Sequence, residues 1–98
     1  MDTYQNTAKI LAALYTHEFG GKASGRYRIS GKQMRELLGK RRIYPEDVTA
    51  LSRALLEEGF VLIDMDSFHV VLSANAFVNY RRVNSEALAQ VSYNNPGP

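Results

Sequence analysis

Ile43-Tyr44-Pro45-Glu46-Asp47-Val48-Thr49-Ala50-Leu51-Ser52-Arg53-Ala54-Leu55-Leu56-Glu57-Glu58-Gly59-Phe60 carries the marks of both ends of a helix. Pro45 suits the first helical position, where a missing N–H costs no hydrogen bond, and Glu46 and Asp47 set negative charge beside the positive end of the helix dipole. Gly59 supplies the stop. Between these marks Val48, Leu51, Leu55 and the adjacent Leu56 recur at three- and four-residue spacing. That spacing predicts one buried face and leaves Thr49, Ser52, Arg53 and Glu57 towards water. The residues after Gly59 are strand-like, so the helix is expected to feed a hairpin.

Working backwards, residues 30–39 predict a shorter helix. Ser30 and Gln33 stand at capping-box spacing, Met34, Leu37 and Leu38 form the apolar stripe, and Lys32 and Arg35 stay outside. Arg26-Tyr27-Arg28-Ile29 alternates polar and apolar residues, as a very short strand does with Tyr27 and Ile29 facing inward. Residues 3–19 predict the first helix. Tyr4, Ala8, Leu11 and Tyr15 mark its stripe, Ile10 and Leu14 widen it, Asp2 and Gln5 form a capping box at its start, and Gly20-Gly21 ends it.

Working forwards, residues 60–64 and 68–72 are apolar and β-branched and are separated by the turn-forming Asp64-Met65-Asp66-Ser67, which predicts a hairpin. In the tail, Phe77, Tyr80 and Val83 fit a helical stripe, although residues 77–80 could equally prolong the sheet; a helix in two pieces is favoured, with Ser85 capping the second piece through Val91. The expected division is one domain over residues 1–74, a helical extension over 75–91 within that domain or at a dimer interface, and a disordered tail over 92–98.

Ninety-eight residues, 45% hydrophobic and 22% charged, suit a single globular domain with a modest core. The absence of cysteine excludes disulfides, thiolate metal sites and cysteine nucleophiles. No apolar run approaches the roughly 20 residues that span a bilayer, and the first residues have neither a basic start nor an apolar signal core. A soluble cytoplasmic protein is expected.

The net charge of +2 hides an uneven distribution. Residues 22–42 hold eight cations against the single acid Glu36, a net of +7 that leaves the remainder near −5. A patch of one sign raises local potential without helping the fold, and it points to a polyanionic partner.

The inferred order of elements is helix, short strand, helix, tight basic turn, helix, hairpin. This α+β order resembles the winged helix-turn-helix superfamily over most of the chain, and residues 48–60 are similar to the end of the recognition helix and first wing strand of bacterial winged-helix regulators. The resemblance implies a three-helix core in which residues 30–39 position the duplex, residues 45–58 enter the major groove, and residues 60–72 form the wing. It implies that Tyr44, Thr49, Ser52 and Arg53 contact bases or backbone. It makes Lys40, Arg41 and Arg42 phosphate clamps, with Lys32 and Arg35 beside them and Arg26 and Arg28 completing the basic segment. Two features depart from the family: the wing tip is acidic, and Glu46 and Asp47 stand where the groove would lie.

No catalytic constellation is present in the pattern. His17 and His69 lack partners at metal-ligand spacing and read as ordinary surface or half-buried histidines, and the glycines at 20, 21 and 25 lack phosphate-loop spacing. Tyr27 reads as a core residue. Tyr44 reads as a hydrophobic staple against Val48 or Thr49, or as a base-stacking ring beside the arginines. The expectation is a non-enzymatic regulator, without a cofactor, that binds duplex DNA. The alternative is a winged-helix protein-interaction module. Dimerisation through Phe77, Tyr80, Val83, Leu88 and Val91 suits either.

Overall fold

The computed structural model describes residues 2–94, which form an α+β fold of four α-helices and a three-stranded antiparallel sheet. Helix α1 spans Thr3–Tyr15, strand β1 Tyr27–Ser30, helix α2 Gly31–Leu38 and helix α3 Pro45–Glu57. Strands β2, Phe60–Asp64, and β3, Phe68–Ser73, form the hairpin; a single 3-10 turn, Ala74–Phe77, and helix α4, Ser85–Asn94, complete the order.

The caps form where side-chain chemistry asks for them. Asp2 accepts from the Gln5 N–H at 2.8 Å while the Gln5 side chain accepts from the Asp2 N–H, and Ser30 and Gln33 repeat the exchange at the start of α2. Helix α2 ends on Gly39 in the left-handed region at φ 67°, which a residue with a Cβ adopts only at a cost. Gly59, at φ 92°, turns the chain out of α3 into β2, and its carbonyl accepts from the Ala74 N–H.

Strand β3 is central. It pairs with β1 from Tyr27↔Val71 to Ser30↔Phe68 and with β2 from Phe60↔Ser73 to Asp64↔His69. Ile29 and Val71 point from this sheet into a core completed by Ala8 and Leu11 of α1, Met34 and Leu38 of α2, and Leu51, Ala54 and Leu55 of α3. The Tyr27 hydroxyl donates to the Leu11 carbonyl, so this half-buried ring ties β1 to α1. Burial pushes the phenol up from its ordinary value.

Several expectations are corrected. Helix α1 stops at Tyr15, four residues early, because Thr16 turns its hydroxyl back to the Ala13 carbonyl and the chain then leaves the helix. Gly20 and Gly21, both at positive φ, instead form a two-residue turn across which Phe19 and Lys22 exchange backbone hydrogen bonds. Ile10 and Leu56 are exposed rather than buried, because α1 and α3 pack through Thr7, Ala8 and Leu11 against Leu51, Ala54 and Leu55. In the tail the first helical piece is only the 3-10 turn. The second is capped by Asn84, whose Oδ1 accepts from the Ala87 N–H at 2.7 Å, and it runs on through residues 92–94, which were expected to be disordered. Residues 95–98 of that expected tail lie outside the described residues.

Candidate nucleic-acid interface

The turn between α2 and α3 is fixed by one buried carboxylate. Asp47 is 3% exposed, accepts from the Tyr4 hydroxyl at 2.7 Å and the Tyr44 N–H at 2.8 Å, and pairs with the Lys40 ammonium at 3.3 Å. The Tyr44 bond is the returning half of a capping box, which an acid three residues into a helix can make. Tyr4 comes from the far end of the sequence. These hydrogen bonds, Tyr4 first, hold the Asp47 carboxyl below the usual carboxylate range against the opposing effect of burial. The same contact pushes the Tyr4 phenol and the Lys40 ammonium up.

This changes the charge reading of α3. Asp47 does not confront a groove, since its charge is spent inside the protein; Lys40 is correspondingly its partner and not a free cation. Tyr44 is the N-cap residue of α3 with its ring half in water, and it is Ile43 that packs on the core in the place a staple would take.

What the turn presents outward is Arg41 and Arg42. Together with Arg35 of α2 and Tyr44 they line one side of an open cleft of about 540 Å³, with Asp64 and Asp66 of the hairpin tip on the other. Among the described residues, none of these three guanidinium groups forms an ion pair or a side-chain hydrogen bond. The hairpin tip is held against α2 by the Gly31 N–H, which donates to the Ser67 carbonyl at 3.1 Å. A Cβ at residue 31 would lie 3.3 Å from both that oxygen and Arg35 Nη1, so glycine permits the approach that sets the cleft.

Beneath the cleft lies His69, 3% exposed and thus neither surface nor half-buried as expected. Its place in the central strand puts the ring under the hairpin. Nε2 stands 3.6 Å from Asp64 Oδ1, and Nδ1 is buried with no hydrogen-bond partner among the described residues.

The remaining residues of the predicted basic surface are dispersed. Arg26 lines a separate hollow with His17, Phe19 and Lys22, while Arg28 on β1 lies 5.8 Å over the Phe68 ring. Lys32 is exposed on α2. On α3 the Thr49 hydroxyl donates to the Pro45 carbonyl at 3.1 Å, Ser52 is half-buried and Arg53 is exposed; none of the three lines the cleft, which α3 reaches through Pro45 and Val48.

Two residues central to this region were not found by sequence reasoning, Asp47 as a buried hub and His69 as a buried ring. The three-residue step from Tyr44 to Asp47 held a signal for the first, whereas the alternation of β3 around Val71 held one for the second only once the sheet face was known.

Among the described residues no group of three or more histidine, aspartate or glutamate side chains could hold a metal ion, and no helix is long and apolar enough to cross a membrane. Comparison with protein-family models, with curated proteins and with solved structures finds no match for this chain.

Proposed function

We propose that this chain is a winged-helix protein that binds duplex DNA through the turn between α2 and α3. The element order supports the winged-helix reading, with α2 and α3 as the helix-turn-helix pair and β2–β3 as the wing. The observation that carries the function is the convergence of Arg35, Arg41 and Arg42, unpaired, on one cleft at the start of α3. Guanidinium forks match phosphate geometry, and the internal use of Asp47 removes one negative charge from the start of α3. Lys32, Arg28 and Arg53 add positive charge elsewhere on the domain, and Tyr44, Thr49 and Ser52 stand along the helix that would face the groove.

The affinity in this reading is mostly electrostatic. Each neutralised phosphate contributes about −0.9 to the slope of log affinity on log salt, so three arginine contacts give a slope of about −2.7. Titration of a mixed-sequence duplex at several salt concentrations tests it. Arg41→Ala with Arg42→Ala should weaken binding across sequences and bring the slope towards about −0.9. No binding by the wild-type chain at low salt, or a slope the double variant leaves unchanged, refutes the proposal.

The exposed Asp64 and Asp66 at the hairpin tip favour a second reading, a module that docks a basic protein surface. Under that reading duplex DNA fails to bind, and substitution of the two aspartates, not of the arginines, abolishes partner association.

A further inference from the structure

The connection between α1 and β1, residues 16–26, is longer than the usual roughly 4–6 residues, yet it is pinned along its length. Phe19 and Lys22 exchange backbone hydrogen bonds at 3.0 and 3.1 Å across Gly20 and Gly21, and the Gly25 N–H donates to the Tyr15 carbonyl at 2.9 Å. The Phe19 ring meets the Tyr27 ring edge-on at 5.6 Å between centres. This frame borders a hollow of about 230 Å³, which shares no lining residue with the cleft of Arg35, Arg41 and Arg42.

The charged side chains on its lining are all cations. Lys22, Arg26 and Arg28 stand there with His17 and Ser24, and no aspartate or glutamate joins them. Among the described residues the side chains of His17, Lys22, Ser24 and Arg26 form no hydrogen bond or ion pair, and Arg28 has only the Phe68 ring, 5.8 Å from its guanidinium carbon. The negative end of the α1 dipole does not account for these charges. Its Ala13, Leu14 and Tyr15 carbonyls already accept from the N–H groups of Thr16, His17 and Gly25 respectively. Cations gathered without acids repel one another and work against the fold, a cost that a bound anion removes.

We propose that this hollow is a binding site for a phosphate group. Its volume lies below the roughly 300–1,000 Å³ of clefts that enclose drug-sized ligands, so a small oxyanion enters and whatever carries it stays outside. The lining is rich in donors: two guanidinium groups, an ammonium and the Ser24 hydroxyl, while the N–H groups of Gly20 and Ser24 have no partner among the described residues. A carboxylate has two oxygens to offer them, whereas a phosphate monoester has three strong acceptors and up to two charges. The group arrives either as free phosphate or on the backbone of a duplex. The inference does not rest on DNA binding at the cleft, and it stands or falls separately.

Titration of the full chain with inorganic phosphate at constant ionic strength, followed by amide proton and nitrogen chemical shifts, tests it. Saturable shifts are expected at residues 17–28, with acetate failing to reproduce them. Lys22→Ala with Arg26→Ala should raise the phosphate midpoint about tenfold or more, since a hydrogen bond to a charged group is worth about that factor. Both side chains are exposed and without a protein partner, and unchanged amide shifts of Ile29 and Val71 in the core check that the fold is kept. Arg81→Ala with Arg82→Ala removes the same charge from an exposed segment outside the hollow and should leave the midpoint where it was. A mixed-sequence duplex separates the two sources: backbone phosphates shift residues 17–28 as inorganic phosphate does, whereas a site for free phosphate answers to inorganic phosphate alone. Shifts that do not saturate, shifts centred on residues 35–44, equal shifts with acetate, or equal weakening by the two double variants overturns the proposal.

Discussion

Leu55 and Leu56 are adjacent, chemically identical and both apolar positions of the predicted face of α3, yet truncating them should have very different effects. Leu55 is 0% exposed among α1, β2 and the rest of the core; Leu56 is 58% exposed. Leu→Ala removes three carbons, worth about 0.8 kcal/mol each when fully buried, or about 2.4 kcal/mol of transfer free energy. At Leu55 the rigid surroundings leave a cavity, and the cavity contribution takes the total to roughly 3–5 kcal/mol. At Leu56 more than half of the side chain is already in water and no cavity forms, so about 1 kcal/mol remains.

Urea unfolding followed by far-ultraviolet circular dichroism resolves this difference. A domain of this size has a stability of about 5–15 kcal/mol and a urea slope near 1 kcal/mol/M, so Leu55→Ala should lower the midpoint by about 3 M or more and Leu56→Ala by about 1 M, both with the slope unchanged. Equal effects at the two positions, or a larger one at Leu56, would refute the assigned rotation of α3 and with it the direction in which Thr49 and Arg53 point.

Gly39→Ala should destabilise by roughly 1–2 kcal/mol although the site is open, since the cost lies in the left-handed backbone, and Gly39→Asn should cost less; thermal unfolding of the pair checks this. The depressed Asp47 carboxyl gives a pH dependence whose sign follows from linkage. Its contribution is fully present above the ordinary carboxylate value and is lost as pH falls through the lower value of the folded state. Asp47→Asn should therefore lower stability at neutral pH and flatten the acid limb, while Tyr4→Phe, which removes the largest cause of the shift, should move the acid midpoint upward; a stability-against-pH series on the three proteins decides it.

Most of the scaffold was legible because its signals are local. The capping boxes of Asp2 with Gln5 and Ser30 with Gln33, the proline that opens α3 and the glycine that ends it each act within three residues, and the hairpin follows from β-branched runs about a polar turn. Where the reading failed, the deciding contact is distant in sequence. Asp47 looked like a dipole charge because its strongest partner, Tyr4, is 43 residues away. His69 looked superficial because only the pairing of β3 with both neighbours shows that the strand is central. Leu56 looked buried because four apolar residues fit a stripe wider than the surface α1 offers. The basic segment was legible as a charge count but not as a surface: Lys40 is paired with Asp47, Arg26 joins another hollow, and Arg35, Arg41 and Arg42 remain together.

The bonds from Tyr4, Lys40 and Tyr44 to a single carboxylate also bear on conformational entropy. Ordering one residue's backbone costs about 1–2 kcal/mol, and a loop that must become ordered on meeting its ligand subtracts that amount per residue from the affinity. Here residues 40–44 are already anchored at both ends, at Gly39 by its hydrogen bonds to Arg35 and Glu36 and at Tyr44 by Asp47, so that loss is incurred when the chain folds. Under the proposed function, an anion at Arg41 and Arg42 would have only two flexible side chains left to quiet, and weak contacts with few phosphates would suffice where a mobile loop would need many.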